Sequence, residues 1–73
     1  MREKIKKIVK NVLELDIVPD NLSQDNCEKW DSLIMLRLIV EIESEFDISF
    51  EPEDIVEMKS LDTIVKKVEE IRH

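Results

Sequence analysis

Residues 29–40 read K-W-D-S-L-I-M-L-R-L-I-V, and Arg37 is the only polar residue between Leu33 and Val40. A helix that packs one face on a protein core needs apolar residues at only about half of its positions. This stretch therefore has more apolar surface than packing on one side requires. Asp31 and Ser32 stand at its entrance and are both residue types that begin helices.

A helix beginning at this point has two apolar sides, which we expect to serve different purposes. One side packs on the core and consists of Met35, Leu38, Ile39, Ile42 and Phe46. The opposite side consists of Leu33, Leu36, Arg37, Val40 and Ser44. Because an apolar patch that faces away from the core is typical of an interaction site, we expect the second side to contact partners.

The rest of the chain predicts three more helices. Residues 2–15 repeat apolar side chains at helical spacing, and residues 16–31 form a long loop pinned to the core by Ile17, Val18, Leu22 and Trp30. Pro52 suits the first turn of a short third helix, and Ser60 suits the cap of a fourth. Residues 48–50 resemble a strand but have no second strand with which to pair. These patterns predict an all-α four-helix bundle with a long first loop and a short third helix.

The length of 73 residues predicts one domain, residues 1–73, which we expect to be a monomer. The single cysteine cannot form an internal disulfide and fits a reducing, cytoplasmic compartment. Cys27 and His73 are too few ligands for a structural zinc, so we predict no metal site. No segment has the roughly 18 apolar residues of a membrane span, so we predict no membrane insertion.

Several classes of function are disfavoured by what the chain lacks. It contains no glycine, which nucleotide-binding phosphate loops require, and no tyrosine, and its one histidine is the last residue. We therefore predict that the protein is not an enzyme and has no catalytic residues. The EF-hand type of calcium loop also needs a glycine and regularly spaced acids, and neither is present.

Charge is unevenly distributed along this acidic chain, whose net charge is −7. Residues 1–10 sum to +4, residues 11–62 carry fifteen acids against three bases, and residues 63–73 sum to +1. Such an acidic protein repels nucleic acid, so we expect no nucleic-acid partner. The acidic middle is suited to attracting basic protein partners.

Taken together, these features resemble the acyl carrier protein family over essentially the whole chain. The family shows Asp-Ser-Leu at the start of the second of four helices, and here the triplet is Asp31-Ser32-Leu33. The segment L-I-V-E-I-E-S-E-F-D-I-S-F resembles the end of the family's second helix and the loop after it. E-D-I-V-E-M-K-S-L-D-T-I-V resembles its short third helix and the start of its fourth.

The resemblance implies that 4′-phosphopantetheine is attached to Ser32 by a separate phosphopantetheinyl transferase, with Asp31 and Leu33 as part of the attachment site. The carrier would hold acyl or aminoacyl groups as thioesters and present them to a loading ligase and to downstream transferases or synthases. The second helix would be the recognition surface. Its equivalent positions here are Leu33, Leu36, Arg37, Val40, Glu43 and Ser44.

Three residues depart from the pattern of fatty-acid carriers: Trp30 before the triplet, Ile34 where an acid is common, and Arg37 at a position that is usually acidic. They favour a carrier of a specialised lipid, polyketide or related biosynthetic pathway over one of fatty acid biosynthesis. An aminoacyl or peptidyl carrier of the same fold remains an alternative. A different class, an unmodified helical interaction module in which Ser32 only caps the helix, is the other alternative.

Overall fold

Four α-helices make up the computed structural model, which describes residues 1–72. They are α1 (Arg2–Leu13), α2 (Ser32–Phe46), α3 (Pro52–Glu57) and α4 (Leu61–Arg72), and a single 3₁₀ turn, Gln24–Asn26, lies in the first loop. The predicted all-α architecture, with a long first loop and a short third helix, is confirmed. His73, named above as a possible metal ligand, lies outside the described residues.

Helix α1 buries its apolar stripe as the spacing predicts, through Ile5, Val9, Val12 and Leu13. It ends about two residues earlier than expected. Glu14 takes a left-handed conformation with φ 55°, and its backbone N–H donates to the carbonyl of Lys10. Glycine usually occupies this left-handed position, because a residue with a Cβ is strained there, so a glutamate does not signal a helix end.

The long first loop is fastened to the start of α4. Gln24 N–H donates to the Lys59 carbonyl and Leu61 N–H donates to the Leu22 carbonyl, both at 2.9 Å. Val18, Leu22 and Trp30 are buried, as predicted. Ile17 was predicted to join them, which is wrong: its side chain is 78% exposed.

Charged side chains reinforce the link between α1, the loop and α4 on the surface. Lys6 Nζ lies 3.2 Å from Asp20 Oδ1, and Arg2 Nη2 lies 2.6 Å from Asp62 Oδ1. The hydrogen bond from Lys6 lowers the pKa of the Asp20 carboxyl below its usual value, and the hydrogen bond that Arg2 donates to Asp62 raises the pKa of Arg2. These pairs are largely exposed, so each adds little to stability.

Helix α2 buries Met35, Leu38, Ile39 and Ile42, which confirms these four residues of the predicted core side. Phe46 was predicted to be core but is only half-buried. It lies at the edge of the core, where the guanidinium of Arg72 stands 5.5 Å from its ring centroid. A half-buried ring at the last turn of a helix is held by fewer neighbours than a fully buried one.

Residues 48–50 form no strand, and Phe50 is buried against the core. At the start of helix α3, Glu51 N–H donates to Asp54 Oδ2 and Asp54 N–H donates to the Glu51 carbonyl, both at 3.0 Å. Ser60 caps α4 as predicted: Thr63 N–H donates to Ser60 Oγ at 3.2 Å, and Ser60 N–H donates to Thr63 Oγ1 at 2.9 Å.

A cluster around Lys67 joins α4 to α3. Its Nζ lies 2.6 Å from Glu57 Oε2 and 3.4 Å from Asp54 Oδ1, and Glu70 is a third acid within 4 Å. The hydrogen bond to Glu57 raises the pKa of Lys67 above its ordinary value. Short α3 is therefore held by this ion cluster as well as by Met58, which is fully buried just after its end.

No helix within residues 1–72 combines the length and the apolar character needed to cross a bilayer. In the same part of the chain, no three acid, histidine or cysteine side chains converge as a metal site would require.

Candidate functional site

Ser32 is the first residue of α2, and it is exposed. The structure assigns the cap to its neighbour: Asp31 is extended, with φ −100° and ψ −175°, and its Oδ1 accepts a hydrogen bond of 2.9 Å from the backbone N–H of Ile34. The hypothesis that Ser32 caps the helix is therefore wrong. Within residues 1–72 the Ser32 hydroxyl has no hydrogen-bond partner.

The backbone around Ser32 suits a phosphate. Within the described chain the amides of Ser32 and Leu33 donate to no acceptor, while those of Ile34 and Met35 are both bonded to Asp31. The first amides of a helix and its positive dipole end favour an anion. A phosphate ester on the exposed hydroxyl of a 15-residue helix therefore fits here without displacing any bond that holds the helix.

The predicted partner residues Leu33, Leu36 and Val40 are exposed by 69%, 60% and 63%. With Arg37 and Glu41 they line a shallow groove of about 240 Å³. This apolar groove begins one residue after Ser32. Leu33, Leu36, Arg37 and Val40 thus lie together on one surface, as helical spacing predicted.

Glu43 and Ser44, the other two predicted partner residues, do not line the apolar groove. Glu43 is half-buried, and its Oε2 accepts a hydrogen bond of 2.8 Å from Phe50 N–H, so it serves the connection to α3. Ser44 is exposed at a different part of the helix. Sequence reasoning missed Glu41, although its position four residues after Arg37 places the two on the same side of the helix.

Arg37 and Glu41 also line a second groove, of about 360 Å³, between α1 and α2. Lys4 and Lys7 lie on its α1 side, and Glu45 lies on its α2 side. Within residues 1–72 neither of these lysines nor Arg37 forms a salt bridge. Arg37 therefore stands at the boundary between the apolar groove and a groove of mixed charge.

Comparison with known families bears directly on this arrangement. Residues 3–68 match the family model described as "Phosphopantetheine attachment site". The chain belongs to that family. The prosthetic group of the carrier is accordingly phosphopantetheine. The match spans all of α2 and α3, α1 except its first residue, and most of α4.

Solved structures place the carrier among acyl carrier proteins in fold. It is similar to a holo acyl carrier protein from Geobacter metallireducens, with a TM-score of 0.86 and 22% identity, over 97% of this chain and 84% of that one. It is also similar to a putative acyl carrier protein from Mycobacterium tuberculosis, with a TM-score of 0.84 and 28% identity, over 93% of each chain. The expected four-helix architecture of the family is thereby confirmed.

Proposed function

We propose that Ser32 is the residue to which 4′-phosphopantetheine is attached, and that residues 1–73 form a single carrier domain. The observation that carries the proposal is that different residues cap α2 and present a free hydroxyl at its start. Asp31 caps the helix, and Ser32, one residue later, keeps an exposed hydroxyl with no partner in the described chain.

Three residues of the chain have a role in the proposed attachment: Asp31, Ser32 and Leu33. In the active site of the transferase, the Ser32 hydroxyl loses its proton to a base of that enzyme, and its oxygen bonds the coenzyme A phosphorus that bears the pantetheine. The pyrophosphate bond of coenzyme A breaks, and adenosine 3′,5′-bisphosphate leaves. Asp31 keeps the helix start folded, and the amides of Ser32 and Leu33 face the new phosphodiester. Once bound, the group supplies a terminal thiol that carries acyl or aminoacyl cargo as a thioester.

The partners of such a carrier are enzymes, and we infer that the chain itself catalyses nothing. The phosphopantetheinyl transferase comes first, followed by a loading ligase and by the enzymes that use the cargo. Leu33, Leu36 and Val40 offer these partners an apolar contact, and Arg37 and Glu41 border it. Glu43 and Ser44 were named for the same surface, and Glu43 would have to release the Phe50 amide to take part.

We assign the carrier to a specialised lipid, polyketide or related pathway in the cytoplasm, as a monomer. The supporting feature is Arg37, a cation on the surface where fatty-acid carriers are usually acidic. Acyl and aminoacyl cargo fit the site equally well, because the cargo is held on the prosthetic group rather than by a pocket at Ser32. An enzyme encoded beside the carrier that adenylates an amino acid would favour the aminoacyl alternative.

The experiment is incubation of the purified chain with coenzyme A and a broad-specificity phosphopantetheinyl transferase, followed by intact mass measurement. We expect the wild type to gain one phosphopantetheine. Ser32→Ala should gain none, while the matched control Ser49→Ala, at another exposed serine, should gain one. Wild type that stays unmodified with several transferases would support the unmodified interaction module instead.

A further inference from the structure

A buried contact brackets the proposed attachment site. Trp30, immediately before the cap, is 3% exposed, and Met35, on the first turn of α2, is 7% exposed. The indole Nε1–H of Trp30 donates a hydrogen bond to Met35 Sδ at 3.1 Å. Among the bonds between side chains of residues 1–72 it is the one that is buried.

Asp31 and Ser32 lie between the two partners of this contact in the chain. Trp30 N–H donates to the Cys27 carbonyl at 3.1 Å, and Met35 N–H donates to the Asp31 carbonyl at 2.9 Å. The backbone on each side of Ser32 is therefore fixed to the core through a buried side chain. The exposed side chains of Asp31, Ser32 and Leu33 are left outside this anchor.

We propose that Trp30 and Met35 are positioning residues for the modification of Ser32. The inference rests on the proposed function: the contact holds the start of α2 in the one conformation that a transferase must capture. Binding a loose segment costs the free energy of ordering it, and a segment that is already ordered avoids that cost. Loss of the contact should therefore weaken binding of the carrier more than it slows the chemistry, and KM should rise while kcat is kept.

A thioether is a weak acceptor, but it is the only partner that the buried indole N–H has within residues 1–72. Met35→Leu keeps a similar volume and leaves that N–H unpaired in the core. Trp30→Phe keeps an aromatic ring and removes the donor. Because an unpaired buried donor costs more than the loss of both partners, the two substitutions should not be additive.

The test measures KM and kcat of a phosphopantetheinyl transferase for the full-length carrier variants. We expect Met35→Leu to raise KM about fivefold and the double variant Trp30→Phe/Met35→Leu to fall within about twofold of Trp30→Phe alone. Met58→Leu is the matched control, since Met58 is fully buried but lies beyond α3. It should leave KM unchanged even where it lowers the melting temperature.

A second measurement, amide hydrogen exchange, needs no transferase. The amides of Ile34 and Met35 bond to Asp31. Their exchange rates, each divided by the exchange rate of the α4 amides in the same variant, should be about tenfold higher in Met35→Leu than in Met58→Leu. Equal effects of the two methionine substitutions on KM and on exchange would reduce the contact to ordinary core packing and overturn the proposal. Wild type that is never modified would instead remove the proposed function, while exchange would still show whether the contact orders the helix start.

Discussion

At the scale of single residues, the pair Asp31-Ser32 combines two properties that the proposed attachment of phosphopantetheine needs at one place. The helix start must stay folded, and its first hydroxyl must stay available. Asp31 meets the first need through its bond to the Ile34 amide, and Ser32 meets the second. Sequence reasoning could not assign the two parts, because both residues are good caps and both stand within reach of the same amides.

The assignment predicts unequal costs of removing the two side chains. Asp31→Ala should lower the free energy of unfolding by about 1 kcal/mol, the usual cost of a lost cap. Ser32→Ala should cost only a few tenths of that amount, since no bond is lost, and Asp31→Asn should retain most of the cap. Urea unfolding of the three variants checks this, and a Ser32→Ala as costly as Asp31→Ala would return the cap to Ser32.

Arg37 gives a prediction about partner choice. A partner built for the usual acidic residue offers a base at this position and would meet a like charge here. Arg37→Glu should therefore raise kcat/KM with fatty acid synthase enzymes and lower it with the native loading enzyme, each by about fivefold at low salt.

The matched control for Arg37 is Lys59→Glu, which changes the net charge equally at an exposed residue away from α2. Moderate salt should shrink the effect of Arg37→Glu, because exposed charges are screened. If both variants leave the two kcat/KM values unchanged, Arg37 is an ordinary solvated side chain.

At the scale of elements, α2 has two apolar sides with different energetic roles. Leu38 is fully buried and Leu36 is 60% exposed, although both are leucines in the same helix. Leu38→Ala should cost about 2–5 kcal/mol of unfolding free energy, and Leu36→Ala well under half of that. Phe46→Ala should fall between them, since its ring is half-buried. Chemical unfolding that ranked Leu36 above Leu38 would mean that α2 is rotated.

Two helices end at residues that are strained in the left-handed conformation: Glu14 after α1, with φ 55°, and Asp47 after α2, with φ 54°. Glycine adopts this conformation without the steric penalty, which is about 1–2 kcal/mol for most residues. Glu14→Gly should therefore raise the melting temperature. Asp47→Gly should raise it less, because aspartate tolerates this region better.

The control for these two is Glu41→Gly, at an exposed position inside α2, which should instead cost about 1 kcal/mol. Glycine that destabilises equally at all three positions would contradict the assigned helix ends. That the chain has no glycine explains why the end of α1 was hard to predict, since the residue that usually marks a helix end is missing.

At the scale of the whole molecule, periodicity predicted most of the fold because apolar spacing is a local signal. It identified the buried faces of α1, α2 and α4, and capping chemistry identified Ser60. The failures involve the packing and bonding of loop residues, which helical spacing does not encode. Of the two neighbours Ile17 and Val18 only Val18 is buried, and the Glu43 carboxylate accepts a hydrogen bond from the Phe50 amide. Neither outcome follows from spacing alone.

Part of the candidate site could likewise be predicted from the sequence, and part could not. The exposed groove of Leu33, Leu36, Arg37 and Val40 follows from the helical period. The buried contact of Trp30 with Met35 does not, because a five-residue separation is no regular helical pair and thioethers rarely serve as acceptors.

Locating the prosthetic group by tandem mass spectrometry tests the central claim most directly. Trypsin cleaves after Lys29 and Arg37, and the peptide 30–37 contains Ser32 as its one hydroxyl-bearing residue. After treatment with coenzyme A and a transferase, we predict that this peptide carries the whole added mass of one phosphopantetheine. Added mass on the peptide 38–59, which contains Ser44 and Ser49, would contradict the account, as would a carrier that stays unmodified.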